Sequence, residues 1–268
     1  MKKNNTPAAI IAFANNKGGV GKTTSVAATG ALLAQNGYKT LLVDLDAQCS
    51  LTECFYGKKA ETTVYELMTS NLSSLPDAII PGTEFDNPIE RLDLIPACTE
   101  MEELDSILAG KTNREMLLSR IFRALGIEKH YDVVLIDCPP SLGLLTQNAL
   151  TAATGGLVVP TTAEFMPLKG LQKIEAKCKE LAEYFDDRIG IDAILVTHFN
   201  SSKNLHSAVD QALRKHFGDT VFETRIRENV RLAECPQRRE SIFAYAPESN
   251  GALDYTAYFE EFKKKFNL

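Results

Sequence analysis

Residues 8–24 read Ala-Ala-Ile-Ile-Ala-Phe-Ala-Asn-Asn-Lys-Gly-Gly-Val-Gly-Lys-Thr-Thr, an apolar run that enters a glycine-rich turn and leaves it in a helix-forming sequence. Strand, glycine loop and helix in that order make a phosphate-binding loop. Glycines let backbone N–H groups curl around phosphate, a lysine neutralises it, and a following hydroxyl holds Mg²⁺. A helix opening at Lys22 adds free N–H groups and a partial positive charge at the same point. Gly18, Gly19, Val20 and Gly21 are the expected cradle, Lys22 the neutralising cation and Thr23 the Mg²⁺ ligand. Thr24 is either a bond to the first phosphate or a plain helix-start threonine. The usual spacing, Gly-x-x-x-x-Gly-Lys-[Ser/Thr], is met by Gly21-Lys22-Thr23, but the position five before Gly21 is Asn16, and a second lysine, Lys17, follows it.

Outward from this stretch, strand-like apolar runs alternate with helical stretches, the pattern of βα units on a parallel sheet. Strands are expected at 8–14, 39–45, 91–96, 132–137, 155–160 and 190–197, with a short one near 220–222. Helices are expected at 22–36, 62–70, 98–109, 112–129, 143–153, 168–185, 202–217, 229–234 and 252–266. The near-continuous apolar runs suit strands covered on both faces. The expectation is an α/β fold: one P-loop NTPase domain over 1–268, with a mostly parallel twisted sheet of about seven or eight strands and helices on both sides. Segment 55–90 is the least regular and is placed outside the sheet. Seven residues precede the first strand, too few for a separate N-terminal DNA-binding module.

Composition narrows the function classes. A net charge of −6 argues against a protein that coats nucleic acid by overall charge, so any such contact must come from a local patch. No 18-residue apolar run and no apolar leader occur, which implies a cytoplasmic protein. The six cysteines form no Cys-x-x-Cys pair, and the four histidines lack ligand neighbours at metal-site spacing, so incidental thiols are expected rather than zinc.

Two more strand ends carry carboxylates. Leu41-Leu-Val-Asp-Leu-Asp-Ala-Gln48 ends in Asp44 and Asp46, two residues apart and so on one face. Strand C-termini line the ligand crevice of an open α/β sheet. Carboxylates there can hold Mg²⁺-bound water and orient an attacking water, or simply cap the strand. In Tyr131-Asp-Val-Val-Leu-Ile-Asp-Cys-Pro-Pro140, Asp137 follows four apolar residues, the form of a Walker B strand whose carboxylate reaches Mg²⁺.

Lys17-Gly-Gly-Val-Gly-Lys-Thr23 resembles the deviant Walker A signature of the ParA/Soj/MinD ATPases. The likeness extends through Asp44–Gln48 and through 131–150, where it is similar to the Soj-type subgroup, and covers the chain from Ile10 to about Gly251. The resemblance implies ATP with Mg²⁺, a homodimer formed face to face with ATP, and Lys17 of each subunit reaching the other's phosphates. It further implies Asp46 positioning the hydrolytic water, Asp44 supporting the Mg²⁺ shell, and slow turnover stimulated by a ParB-type centromere-binding partner. Nonspecific DNA would be held by the ATP-bound dimer on the nucleoid. Asn200, ending the run Ala193-Ile-Leu-Val-Thr-His-Phe-Asn200, is either a reader of the adenine edge or a turn residue. No guanine-specific Asn-Lys-x-Asp motif is present, which favours ATP over GTP.

Residues 225–239 hold five arginines against two glutamates. With Arg214 and Lys215, Arg231, Arg238 and Arg239 are the candidate phosphate contacts to DNA, set against a solvated, salt-bridged surface. The same region, Ile226-Arg-Glu-Asn-Val-Arg-Leu-Ala-Glu-Cys-Pro236, is similar to the family pattern I-P-R-N-V-R-L-S-E-A-P, with Arg227 in place of Pro and Glu228 in place of Arg. Tyr255, Tyr258, Phe259, Phe262 and Phe266 form one apolar face of the last helix. Docking on the protein's own core is expected of it, so a membrane partner is not. The alternative is a MinD-like membrane-associated positioning ATPase whose tail binds lipid. A reading as a nitrogenase-like iron protein lacks the cysteine in a glycine-rich loop that it needs.

Overall fold

A computed structural model describes residues 7–164 and 167–268. Seven strands form one parallel sheet: β1 Ala9–Phe13, β2 Thr40–Asp44, β3 Leu92–Ile95, β4 Val133–Asp137, β5 Gly156–Thr162, β6 Ala193–Phe199 and β7 Val221–Arg227, in the order β3-β2-β4-β1-β5-β6-β7. The helices are α1 Lys22–Gln35, α2 Ser50–Phe55, α3 Val64–Thr69, α4 Leu104–Ile107, α5 Leu117–Ala124, α6 Ile127–His130, α7 Leu144–Ala152, α8 Pro167–Tyr184, α9 Asn204–Phe217, α10 Val230–Arg238, α11 Ile242–Tyr245 and α12 Asn250–Lys265.

Alternation along the strands divides the interior into two cores. Ile10, Ala12, Val134 and Ile136 face one cluster, with Leu118, Leu145, Leu171 and Ile174 from α5, α7 and α8. Ile11, Phe13, Val133 and Leu135 face the other, with Val26 and Leu33 of α1 and Tyr255, Tyr258, Phe259 and Phe262 of α12. Residues of the central strands β1, β2 and β4 are thus covered whichever way they point, which is why those runs read as continuously apolar. The α12 face is buried in this second core, and Tyr255 Oη lies 3.0 Å from Ser25 Oγ of α1. Among the described residues no helix is long and apolar enough to cross a membrane.

The two sheet edges are finished differently. Beside β3, Ile80 exchanges both backbone hydrogen bonds with Leu94 in an antiparallel bridge, so segment 55–90 pairs with the sheet at its rim, while its Val64, Leu67 and Met68 are buried in the first core. Beside β7, carboxylates of α12 take the backbone donors. Glu261 accepts from the N–H groups of Glu223 and Thr224 at 2.7 and 2.8 Å, and Asp254 accepts from that of Arg227 at 2.9 Å.

Element boundaries depart from the sequence reading where local chemistry intervenes. The stretch 98–109 begins as a 3₁₀ helix, Thr99–Glu103, before α4. The stretch 112–129 is split by Gly126 at φ +66° into α5 and α6. β7 is longer than 220–222, because its charged residues Glu223, Arg225 and Arg227 hide a strand that has an edge to place them on. α10 runs past 234 to Arg238.

Candidate functional site

The sheet order sets β4 between β1 and β2, so three carboxyl-end positions converge. Phe13 and Asp137 are register partners, as are Asp44 and Asp137. The glycine loop leaves β1 at this point. Gly19 and Gly21 have φ of +69° and +77°, left-handed values that L side chains rarely adopt, and Gly21 is the residue from which α1 starts. The loop is pinned from below: Asn15 Nδ2 donates to Pro160 O at 2.7 Å, and Asn15 Oδ1 accepts from Lys17 N at 3.1 Å. Thr197 Oγ1 donates to Val20 O at 2.9 Å.

The two lysines differ in kind. Lys22 is 6% exposed, and its Nζ donates to Lys17 O at 3.2 Å, so the ammonium lies across the mouth of its own loop. Lys17 points outward with 57% of its side chain exposed. Its Nζ meets Glu164 at 3.5 Å, and Glu164 is itself 62% exposed. An exposed pair of that kind contributes little, about 0–1 kcal/mol, and leaves the side chain free to exchange partners.

Of the carboxylates, Asp44 is saturated: its Oδ2 accepts from Thr52 N and Oγ1 at 2.8 and 2.7 Å, and its Oδ1 accepts from Asp46 N at 3.1 Å. Burial nonetheless pushes its carboxyl up to about 6, against the pull of those donors. Asp137 is also buried. Its Oδ2 accepts from Thr23 Oγ1 at 2.6 Å, while its Oδ1 has no partner. Burial first, and the neighbouring Asp44 carboxylate second, raise its pKa well above the usual range. A buried carboxylate oxygen without a donor beside a threonine hydroxyl is an arrangement a divalent cation would complete, and hard oxygen donors are the set Mg²⁺ takes. Asp46 stands at the rim, its Oδ1 accepting from Gln48 N at 3.0 Å.

A cavity of about 500 Å³ opens over these groups. Its phosphate end is lined by Gly18, Gly19, Gly21, Lys22, Thr23, Thr24 and Asp46. The opposite end, which sequence reasoning did not assemble, is made by Cys54 and Phe55 of α2, Leu232, Cys235 and Pro236 of α10, and Ile242 of α11. Burial raises the Cys54 thiol to about 12 and the Cys235 thiol to about 11, so both behave as apolar lining. The wall is clasped from segment 55–90. Asn87 Nδ2 donates to the carbonyls of Arg238 and Arg239 at 3.3 and 3.0 Å, and Asp86 pairs with Arg239 at 3.1 Å. Gly57 lies directly under the Arg239 guanidinium, where a Cβ would fall 2.1 Å from Cζ. α2 and α11 are too short to announce themselves by periodicity.

Asn200 does not line this cavity. Its Nδ2 donates to Glu228 at 3.1 Å, and its Oδ1 accepts from Ser202 N and Oγ. The two departures in 226–236 have local partners. Arg227, where the family pattern has proline, gives Asp254 the backbone N–H that proline lacks, and adds bonds from Nε and Nη2 at 2.9 and 2.7 Å. Glu228 pairs with Lys203 at 2.6 Å.

The basic patch is more committed than its charge suggests. Arg214 donates to Asp210 at 3.1 Å, to Glu223 Oε1 at 2.9 Å and to Phe222 O at 2.9 Å, which holds its guanidinium against the protein. Arg231 donates to Glu234 and Tyr245 Oη, and Arg239 is held by Asp86. Lys215 is exposed, Arg238 stacks 4.4 Å from the Tyr245 ring centroid, and neither has an ion pair among the described residues.

Comparison with known proteins agrees with this geometry. The family described as AAA domain matches residues 8–191. The chromosome-partitioning ATPase Soj of Thermus thermophilus is 39% identical over 253 residues, 94% of this chain and 94% of that protein. A putative plasmid partition protein of Borrelia burgdorferi bound to AMPPNP superimposes with a TM-score of 0.76 at 26% identity, covering 97% of this chain and 100% of that one. Cobyrinic acid a,c-diamide synthase of Mycobacterium smegmatis, with bound ADP and magnesium, gives 0.78 at 28% identity over 97% and 96%. A glycine loop with two lysines, a Thr23–Asp137 pair beneath it and homology along nearly the whole length make one statement: the chain belongs to the Soj/ParA branch of the P-loop ATPases.

Proposed function

We propose that this protein is a Soj-like partition ATPase, working as one domain over 1–268 in the cytoplasm. ATP with Mg²⁺ would occupy the cavity over the β1 loop and close two subunits face to face. The dimer would bind DNA nonspecifically on the nucleoid, and hydrolysis stimulated by a ParB-type partner would release it.

The contrast between Lys17 and Lys22 carries this reading. Lys22 is folded into the loop and suits the phosphates of its own nucleotide. Lys17 is turned outward on a weak exposed pair, a point charge able to leave Glu164 for a phosphate offered by a second subunit. Thr23 and Asp137 would hold Mg²⁺, with Asp44 fixing the β2 end beside them. The cation would supply charge neutralisation at the leaving phosphate. Asp46, at the rim, would orient water for attack. Gly18 to Gly21 and Thr24 would donate to phosphate oxygens. For Asn200 a part in base reading requires that it leave Glu228. Lys215 and Arg238 are the cations best placed for DNA phosphates. Arg214, Arg231 and Arg239 would first have to give up their present partners.

Light scattering and co-sedimentation test the proposal together. Wild-type protein with ATP and Mg²⁺ should double in mass and sediment with DNA of unrelated sequences, not with anionic liposomes. Lys17→Ala should bind ATP yet stay monomeric. A dimer formed normally by Lys17→Ala would remove the trans role, and ATP-dependent sedimentation with liposomes alone would replace the partition reading by the membrane-positioning one.

A further inference from the structure

The residue before last in β6, His198, has φ +50°, a left-handed conformation that costs a non-glycine residue about 1 kcal/mol or more and persists only where its surroundings impose it. The imposing feature is a bulge. Pairing of β6 with β7 runs Val196↔Arg225 and then Phe199↔Arg227, with a register shift between them. Bulges re-aim a side chain out of the alternation of its strand. On one side of the bulge Thr197 is tied into the protein, donating to Val20 O of the glycine loop at 2.9 Å and to Thr161 O at 3.2 Å. On the other, Asn200 N donates to His206 Nδ1 at 3.1 Å. His198 between them is exposed and lines the cavity.

Its position there is specific. A Cβ built on Gly21 would lie 3.7 Å from His198 Nε2, so the ring edge stands beside the residue that opens α1, in the cavity that Lys22 and Thr24 of the same helix turn also line. None of the described side-chain hydrogen bonds uses the imidazole. Strain, a bulge anchored to the phosphate loop and an uncommitted donor directed into the cavity have no use in the sheet itself. We infer that His198 is a nucleotide-contacting residue whose imidazole N–H donates to an oxygen of the first phosphate, where the sugar joins the phosphate chain. The assignment rests on the nucleotide reading of this cavity and adds a contact from β6 to those of the loop.

Replacing His198 by glycine separates this role from a structural one, because glycine accepts φ +50° without strain. In titrations with adenosine, ADP and ATP, His198→Gly should lose about tenfold in affinity for ADP and ATP alike, the scale of one charge-assisted hydrogen bond, and nothing for adenosine. The thermal midpoint of the nucleotide-free variant should stay level or rise. His198→Gln, which keeps a donor, should recover part of the loss. Wild-type affinity in His198→Gly overturns the assignment, and so does a variant that loses adenosine, ADP and thermal stability together. Wild-type protein that binds neither ADP nor ATP would instead sink the nucleotide reading and this contact with it.

Discussion

The two ends of the cavity are built on opposite principles. At the phosphate end, the groups sit on strand ends of one sheet or on the loop and first helical turn that follow β1, and register fixes the strand ends: Asp137 of β4 is the partner of both Phe13 of β1 and Asp44 of β2. At the apolar end, the wall belongs to α2 and, far from it in sequence, to the consecutive short helices α10 and α11, held by a clasp of Asp86, Asn87 and Gly57 against the end of α10. The first is as rigid as the sheet. The second is joined by side-chain packing of Leu232 on α12 and by a few polar contacts near the surface, with no sheet register to fix it.

This contrast is open to direct attack. Lys22→Ala removes a buried ammonium from the rigid end, and affinity for ATP and ADP should fall about 100-fold by calorimetry, the scale of a buried charge-assisted contact. A loss of only a few-fold would mean that the apolar wall, not the loop, holds the nucleotide. A second attack uses pH. The Asp44 carboxyl is raised from 3.8 to about 6, so the native state holds its proton more tightly than the unfolded chain does. The associated stability is fully present below about pH 4 and is lost as pH rises through about 6, by about 2–3 kcal/mol for a shift of that size. Urea titrations without Mg²⁺ or nucleotide should show this decline in wild type and a smaller one in Asp44→Asn, where the raised Asp137 carboxyl still loses its proton as pH rises. An equal decline in both would move the buried proton elsewhere. The gentlest attack is on the clasp. Asn87→Ala removes two hydrogen bonds to α10, and should cost about 1 kcal/mol of stability and a few-fold in affinity, equally for ADP and ATP. A loss confined to ATP would tie the clasp to the phosphate end and dissolve the distinction.

The same contrast explains what could be read from the sequence. The loop, Asp44, Asp46 and Asp137 were legible because their chemistry is written in contiguous motifs at strand ends, where local pattern and ligand geometry coincide. The two-sided core was legible from continuous apolar runs. Leu232, Cys235 and Ile242 meet Cys54 and Phe55 only after the chain has added five more strands, β3 to β7, and no spacing in the sequence records that meeting. Segment 55–90 gave no sign of its clasp, since Asp86 and Asn87 look like ordinary turn residues. The arginines show the limit from the other direction. Charge counted along 225–239 takes no account of Asp254 and Tyr245, or, for Arg214, of Asp210, the groups that engage those guanidiniums in space. His198 was visible only as one residue in an apolar run, because a bulge is a property of two strands and not of one.

The carboxylates of Asp254 and Glu261 along β7 have a consequence for association. An open strand edge recruits strands from other chains, and a protein gathered at high local density would be exposed to open-ended aggregation. Here three backbone donors of that strand, those of Glu223, Thr224 and Arg227, are already taken by the molecule's own last helix. Strand addition is discouraged from that side, which leaves contacts between copies of this chain to be made by faces that can close on themselves and come apart again.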